Sequence, residues 1–200
     1  MSNGECRTAT VFPFPILEWD GCSWTAEDNL PSWAGFKARS GDYGSRNSSE
    51  PSTGRVLLAA DAADESQLEP PPRETAAAYA FLKENESNIA KEILRAIFET
   101  YPRLRQTYGY DEAAAKKIMP ELERPEDLRS LIGLHGVHFL KESKDGVGCV
   151  GFEFGCTWDE EHGLGVLTHK LQVIEVGSAD TAFLGWNAVN WIAGRNPRVA

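Results

Sequence analysis

The run Val147-Gly148-Cys149-Val150-Gly151-Phe152-Glu153-Phe154-Gly155-Cys156-Thr157-Trp158, the link Asp159-Glu160-Glu161-His162-Gly163 and the run Leu164-Gly165-Val166-Leu167-Thr168-His169 decide the fold class. Val150, Phe152 and Phe154 alternate along the first run. Side chains two apart on an extended chain share a face, so this spacing predicts a strand with one apolar side. By the same rule Cys149 and Cys156, seven apart, fall on opposite faces. The second run predicts a partner strand. Three acids and a histidine lie between them, and Gly163 and Gly165 give the backbone freedom that a tight reversal needs. The product is a hairpin with an anionic tip.

Working outward, residues 133–141 predict the preceding strand, joined through Lys144-Asp145-Gly146. Residues 172–176 predict a fourth strand after Lys170-Leu171, with Ile174 and Val176 on its apolar face. Four such strands read as an antiparallel meander. A short helix over 179–184 follows, and Trp186 and Trp191 offer apolar cover. Upstream the period changes. Ile89, Ile93, Ile97 and Tyr101 recur every four residues, with Phe81, Leu94 and Phe98 widening the stripe. This predicts an amphipathic helix over 73–101, ended by Pro102. Asp111 N-caps a short helix to Lys117, and Pro125-Glu126-Asp127 fits the first turn of another running through Leu131. A long helix laid on a meander is an α+β fold, an antiparallel sheet in the C-terminal half with an N-terminal β-rich part.

Before the helix, residues 10–24 read as short strands and turns around Pro13, Pro15 and Asp20-Gly21. Residues 30–36 read as an extended segment that lays Trp33 and Phe36 on a neighbouring surface, and 40–54 as a flexible loop. Residues 55–60 predict a strand, and 61–72 a linker with a stiff Pro70-Pro71-Pro72 end. The expected organisation is an N-terminal β/loop region over 1–60, a linker over 61–72 and an α+β domain over 73–200, reading as one compact unit. A chain of 200 residues buries about 70% of its unfolded surface and needs no disulfide or metal staple.

The net charge of -10 with no Lys/Arg cluster excludes nucleic acid as a partner and suits a basic protein. No run of 18 apolar residues occurs, and residues 1–10 lack a signal pattern, so no membrane is expected and the location reads as cytoplasmic. Cys6, Cys22, Cys149 and Cys156 show no CxxC spacing and read as buried free thiols. Neither a GxSxG elbow, a phosphate cradle, an HExxH helix nor an EF-hand loop is present, and no cofactor is implied. His135 and His138 read as packed or surface imidazoles. The dense polar constellation is Trp158, Asp159, Glu160, Glu161 and His162, with His169 as the natural second histidine, although opposite in parity to His162 on a simple strand. Asp159, Glu161 and His162 are the residue types that ligate a cation, with Glu160 turned away or acting as base. Glu175 and Asp180 flank the last strand and belong to the same end of the sheet, unless Asp180 only caps the following helix.

With Gly155-Cys156-Thr157-Trp158-Asp159-Glu160-Glu161-His162-Gly163-Leu164-Gly165-Val166, then Val173-Ile174-Glu175-Val176-Gly177 and Ala179-Asp180-Thr181-Ala182-Phe183, the chain resembles the bacterial DUF6985 family, a domain of unknown function with a Trp-Asp-x-Glu-His-Gly-type signature. Residues 30–36 and the Tyr43-Gly44 loop are compatible with that family's N-terminal part. The resemblance implies an α+β domain and conveys no established reaction. In its wider group some domains are linked by genomic context to immunity proteins of toxin systems. The leading functional expectation is a non-enzymatic protein-interaction module of immunity type that meets a basic partner through its acidic surface. The alternative is a metal-dependent hydrolase or a calcium-supported fold at Asp159–His162. A third reading makes the motif a structural turn only.

Overall fold

In the computed structural model, which describes residues 7–66 and 68–195, the N-terminal part forms β1 (Thr8–Ala9), β2 (Leu17–Trp19), β3 (Trp24–Asn29), β4 (Lys37–Ser40), β5 (Arg46–Pro51) and β6 (Arg55–Ala60). Two helices follow, α1 (Arg73–Tyr108) and α2 (Glu112–Ile118), then β7 (Ile132–Lys144), β8 (Val147–Cys156), β9 (Leu164–His169) and β10 (Gln172–Gly177), and last α3 (Asp180–Phe183) and α4 (Trp186–Ile192). Of the thiols expected to be buried, Cys149 and Cys156 are, Cys22 is instead exposed in the turn between β2 and β3, and Cys6 lies outside the described residues. Eight strands share one sheet in the order β1-β2-β3-β6-β7-β8-β9-β10, and β4 pairs with β5 apart from it. The expected α+β class is what forms, with β7 to β10 as an antiparallel meander.

The N-terminal strands continue that meander through a parallel pair, Leu57 to Ala60 against Gly136 to Phe139. Parallel neighbours need a crossover, and the connection that contains α1 supplies it, laying that helix on one face of the sheet. Tyr79, Leu82, Ile89, Ile93, Ile97 and Tyr101 are the buried stripe of α1. They join Val150, Phe152, Phe154 and Cys156 of β8 in the main core cluster. Phe152 and Phe154 are fully buried, and each contributes roughly 1.5–3 kcal/mol of apolar transfer. Trp33 packs edge-on against Phe154 at 5.1 Å, which fastens the N-terminal part to the meander.

Alternate residues of β8 serve the opposite face. Cys149 packs there with Leu140, Leu167 and Ala188, so the two cysteines do occupy opposite faces. A Cβ on Gly151 would collide with the Ala182 carbonyl, and one on Gly155 with the Gly44 carbonyl. These two positions are glycine because backbone lies directly against the sheet there. The sheet thus has α1 on one side and α3 with α4 on the other.

Five local expectations fail for identifiable reasons. Pro102 does not end α1, which runs one and a half turns further to Tyr108. A proline inside a helix leaves one carbonyl unbonded and costs about 3 kcal/mol. Here Leu104 and Tyr108 pack on the core beyond the break, and Gly109 closes the helix in the left-handed region at φ 59°. Ile174 does not share a face with Val176: a bulge between Val173 and Glu175 shifts parity, sending Ile174 to the second cluster and Val173 and Val176 to the first. Residues 40–54 are not a loop throughout, because a single turn at Asp42–Gly44 leads into the β4–β5 pair. Pro31–Trp33 forms one 3-10 turn within the segment read as extended, and Pro125–Ser130 is also 3-10 rather than α-helical.

Candidate functional site

The anionic turn is built from the inside out. Trp158 is 2% exposed, packs edge-on against Tyr101 at 5.6 Å, and its carbonyl accepts the Tyr110 hydroxyl at 2.8 Å. Asp159 also turns inward. Its Oδ2 accepts the Tyr108 hydroxyl at 2.6 Å, and its Oδ1 accepts the His162 backbone N–H at 2.9 Å with the His162 ring Nδ1 at 3.1 Å. Burial pushes the Asp159 carboxyl up, but the bonds from Tyr108 and His162 outweigh it and hold the group below its ordinary value. Burial, and then the bond to Asp159, push the Tyr108 hydroxyl up. The Asp159 carbonyl accepts the Gly163 N–H at 3.1 Å, and the His162 carbonyl accepts the Ala179 N–H at 2.9 Å. Asp159 therefore shapes the reversal, and the His162 carbonyl ties it to the start of α3.

Glu160 and Glu161 stay exposed, as does the His162 ring, 70% of whose side chain is open. The two glutamates border a shallow groove of about 520 Å³ with Lys37, Tyr110 and Lys117. Arg39 lies buried beside the turn, its guanidinium donating to the Gly44 and Leu131 carbonyls while Nε has no partner. Burial lowers its basicity, and the Cys156 and Glu160 charges oppose that. His169 is elsewhere. It sits at the far end of β9, five residues or roughly 16 Å of strand from Leu164. There its Nε2 meets the Lys144 carbonyl at 2.9 Å and its ring lies 5.1 Å from that of Trp191. The structure brings Trp158, Asp159 and His162 together, displays Glu160 and Glu161, and separates His169 from all of them.

Among the described residues no three His, Cys, Asp or Glu side chains come close enough to hold a metal ion. Asp159 would have to surrender its internal hydrogen bonds to become a ligand. A second pair, His138 Nε2 to Glu153 Oε2 at 2.8 Å, sits against the Phe183 ring on the α3 side of the sheet. Burial pushes the Cys149 and Cys156 thiols up to about 12, which leaves them protonated and poor nucleophiles.

One concavity was not legible in the sequence. It is a slot of about 690 Å³ along β10, with Glu92, Arg95, Glu99 and Arg103 of α1 on one wall and Asp180, Thr181, Trp186 and Asn187 of α3 and α4 on the other. This volume lies in the range of ligand sites. Among the described residues β10 pairs with β9 alone, so its other edge faces the slot. Two acceptors buried in the lining have no donor among the described residues: Glu175 Oε2 and Asn187 Oδ1. Asn187 is 3% exposed. An unsatisfied buried polar group costs about 1–3 kcal/mol, so natural structures rarely leave two without reason. Burial pushes the Glu175 carboxyl up. Leu171, Leu184 and Trp186 leave 43%, 41% and 49% of their surface open around the slot, more apolar exposure than isolated surface residues explain. The anionic turn adjoins one end, since His162 bonds Ala179 and the neighbouring Ser178 lines the slot. Glu175 does not flank the last strand but lies within β10 opposite Leu167, whereas Asp180 lies beyond its end as the first residue of α3. The shift of parity that directs Glu175 toward α4 depends on the bulge, which alternation alone does not reveal.

A family model described as a domain of unknown function (DUF6985) matches residues 51–184, the greater part of the chain, from the last residue of β5 to the end of α3. No curated protein and no solved structure gives a match.

Proposed function

We propose that this chain, which belongs to the DUF6985 family, is a non-enzymatic protein-interaction module that receives a positively charged partner in the acidic slot along β10. One observation carries the reading: a strand edge without a partner among the described residues forms the floor of a slot whose charge is predominantly negative. Four carboxylates line it, those of Glu92, Glu99, Glu175 and Asp180, against Arg95 and Arg103. Arg95 is already paired with Glu92 and Glu99. Glu160 and Glu161 extend the negative surface past the slot's end. The net charge of -10 adds a long-range field that speeds the approach of a basic protein. The buried, protonated thiols and the inward-facing Asp159 support a binding role over a catalytic one. An immunity role is the biological form we infer: the partner is then a toxin that loses activity when bound. Cys22, free and exposed, fits a reducing compartment and supports action in the cytoplasm.

Titration with a lysine decapeptide tests this. The expected result is binding that weakens as salt rises and weakens further in Glu99→Lys and Asp180→Lys. Glu18→Lys, on exposed β2 near the opposite end of the sheet, leaves it nearly unchanged. Equal losses in all three variants mean that only net charge matters, and the slot assignment fails.

A further inference from the structure

Resting on the interaction reading above, we infer that the slot's occupant is an extended segment of the partner, which adds to the free edge of β10 as a ninth strand and carries a lysine or arginine that donates to Glu175 and Asn187. The walls define the shape of the guest. α1 packs on Val173 and Val176 from one side of β10, while α3 and α4 stand on the other. The gap between them is therefore the sheet layer itself, prolonged by one strand. Six residues of β10 offer roughly 20 Å of edge, enough for a guest of similar length. A helix would fill the same gap but satisfy none of the edge amides.

The sequence of β10 agrees. Natural edges are guarded by lysine, proline, bulges or inward-turned charges; residues 172–177 contain no lysine or proline, and their one charge, Glu175, is turned to the slot side by a bulge. The bulge that is present serves another purpose: it lies between Val173 and Glu175, after which Glu175, Val176 and Gly177 resume regular pairing with β9. It thereby turns Glu175 to the side of Leu167, where the slot also holds Asn187. A carboxylate and an amide oxygen, both buried without a donor, call for a group rich in N–H and poor in acceptors. An ammonium offers three donors and a guanidinium five. A second copy of this chain is a poor occupant, since it would set one acidic slot against another.

The probe is an acetylated, amidated hexapeptide of alternating threonine and valine with one lysine. It is compared with a norleucine analogue and with a lysine peptide N-methylated at alternate residues. The lysine peptide is expected to bind about tenfold more tightly than the norleucine peptide. Glu175→Gln removes that preference, the N-methylated peptide does not bind, and exchange of the β10 amides slows in the complex. Equal binding by the N-methylated peptide, unchanged β10 exchange, or a preference surviving in Glu175→Gln overturns the inference. So does a dimer of the free protein joined through β10. The slot reading still stands in those cases if Glu99→Lys weakens decapeptide binding, and falls separately if it does not.

Discussion

Asp159→Ala removes an acceptor that holds the anionic turn against the end of α1. Two of its bonds, from the Tyr108 hydroxyl at 2.6 Å and the His162 N–H at 2.9 Å, reach a carboxylate whose side chain is only 14% exposed. Hydrogen bonds to charged groups contribute about 1.5–3 kcal/mol each when shielded, and the alanine also leaves the Tyr108 hydroxyl without its partner. The contact with the open His162 ring is discounted for solvent. The expected loss is about 2–4 kcal/mol, or a fall in Tm of roughly 5–15 °C for a domain of this size. Tyr108→Phe takes one of the two bonds and costs about 1–2 kcal/mol. Combined with Asp159→Asn in a double-mutant cycle, it shows a coupling of about 1 kcal/mol or more. Glu160→Ala, one residue along but exposed, stays within about 0.5 kcal/mol. Urea denaturation at pH 7 reads all four. If Asp159→Ala costs no more than Glu160→Ala, Asp159 does not build the turn, and its role as a free surface acid returns.

Other consequences follow from the same geometry. The folded Asp159 carboxyl is held below its ordinary 3.8, so its stabilisation is complete above that pH and is lost as pH falls toward the folded value; a pH series of denaturation midpoints finds this acid-side slope flattened in Asp159→Asn. Glu175 has the opposite sign, being raised from 4.5 by burial, so ionising it opposes folding. Glu175→Gln therefore raises Tm at pH 7, and the gain shrinks below pH 4.5, where the native carboxyl is protonated in both states. Pro102→Ala restores a helical N–H within α1 and stabilises the protein by about 1–3 kcal/mol, measured by denaturation. Gly151→Ala drives a methyl group into the Ala182 carbonyl; the displacement of α3 shows as a lower Tm and altered near-UV circular dichroism.

The hairpin of β8 and β9 was readable because its alternation is strict and one face packs against α1. The stripe of α1 was readable for the same reason, each apolar residue of a four-residue period meeting the sheet. Pro102 misled because the local cost of a proline is offset by the packing of Leu104 and Tyr108 beyond it. The polar strands β4 and β5 carry no apolar alternation to betray them. Trp158 and Asp159 were found as a cluster, yet their inward orientation depends on Tyr101 and Tyr108, more than fifty residues earlier. His169 was linked to the turn by residue type, although the length of β9 holds the two apart. The slot was least legible. It arises where α1, β10 and α4 meet, and the bulge that aims Glu175 is a departure from the very period used to read the strand.

Native-state hydrogen exchange of the free protein tests the central claim most directly. If β10 is a vacant edge, its outward amides within residues 172–177 exchange at least about a hundredfold faster than those of residues 150–154 in β8, which is paired on both sides. Uniform protection of β10 equal to that of β8 would mean that the edge is already occupied, and the slot would have no place for a partner strand.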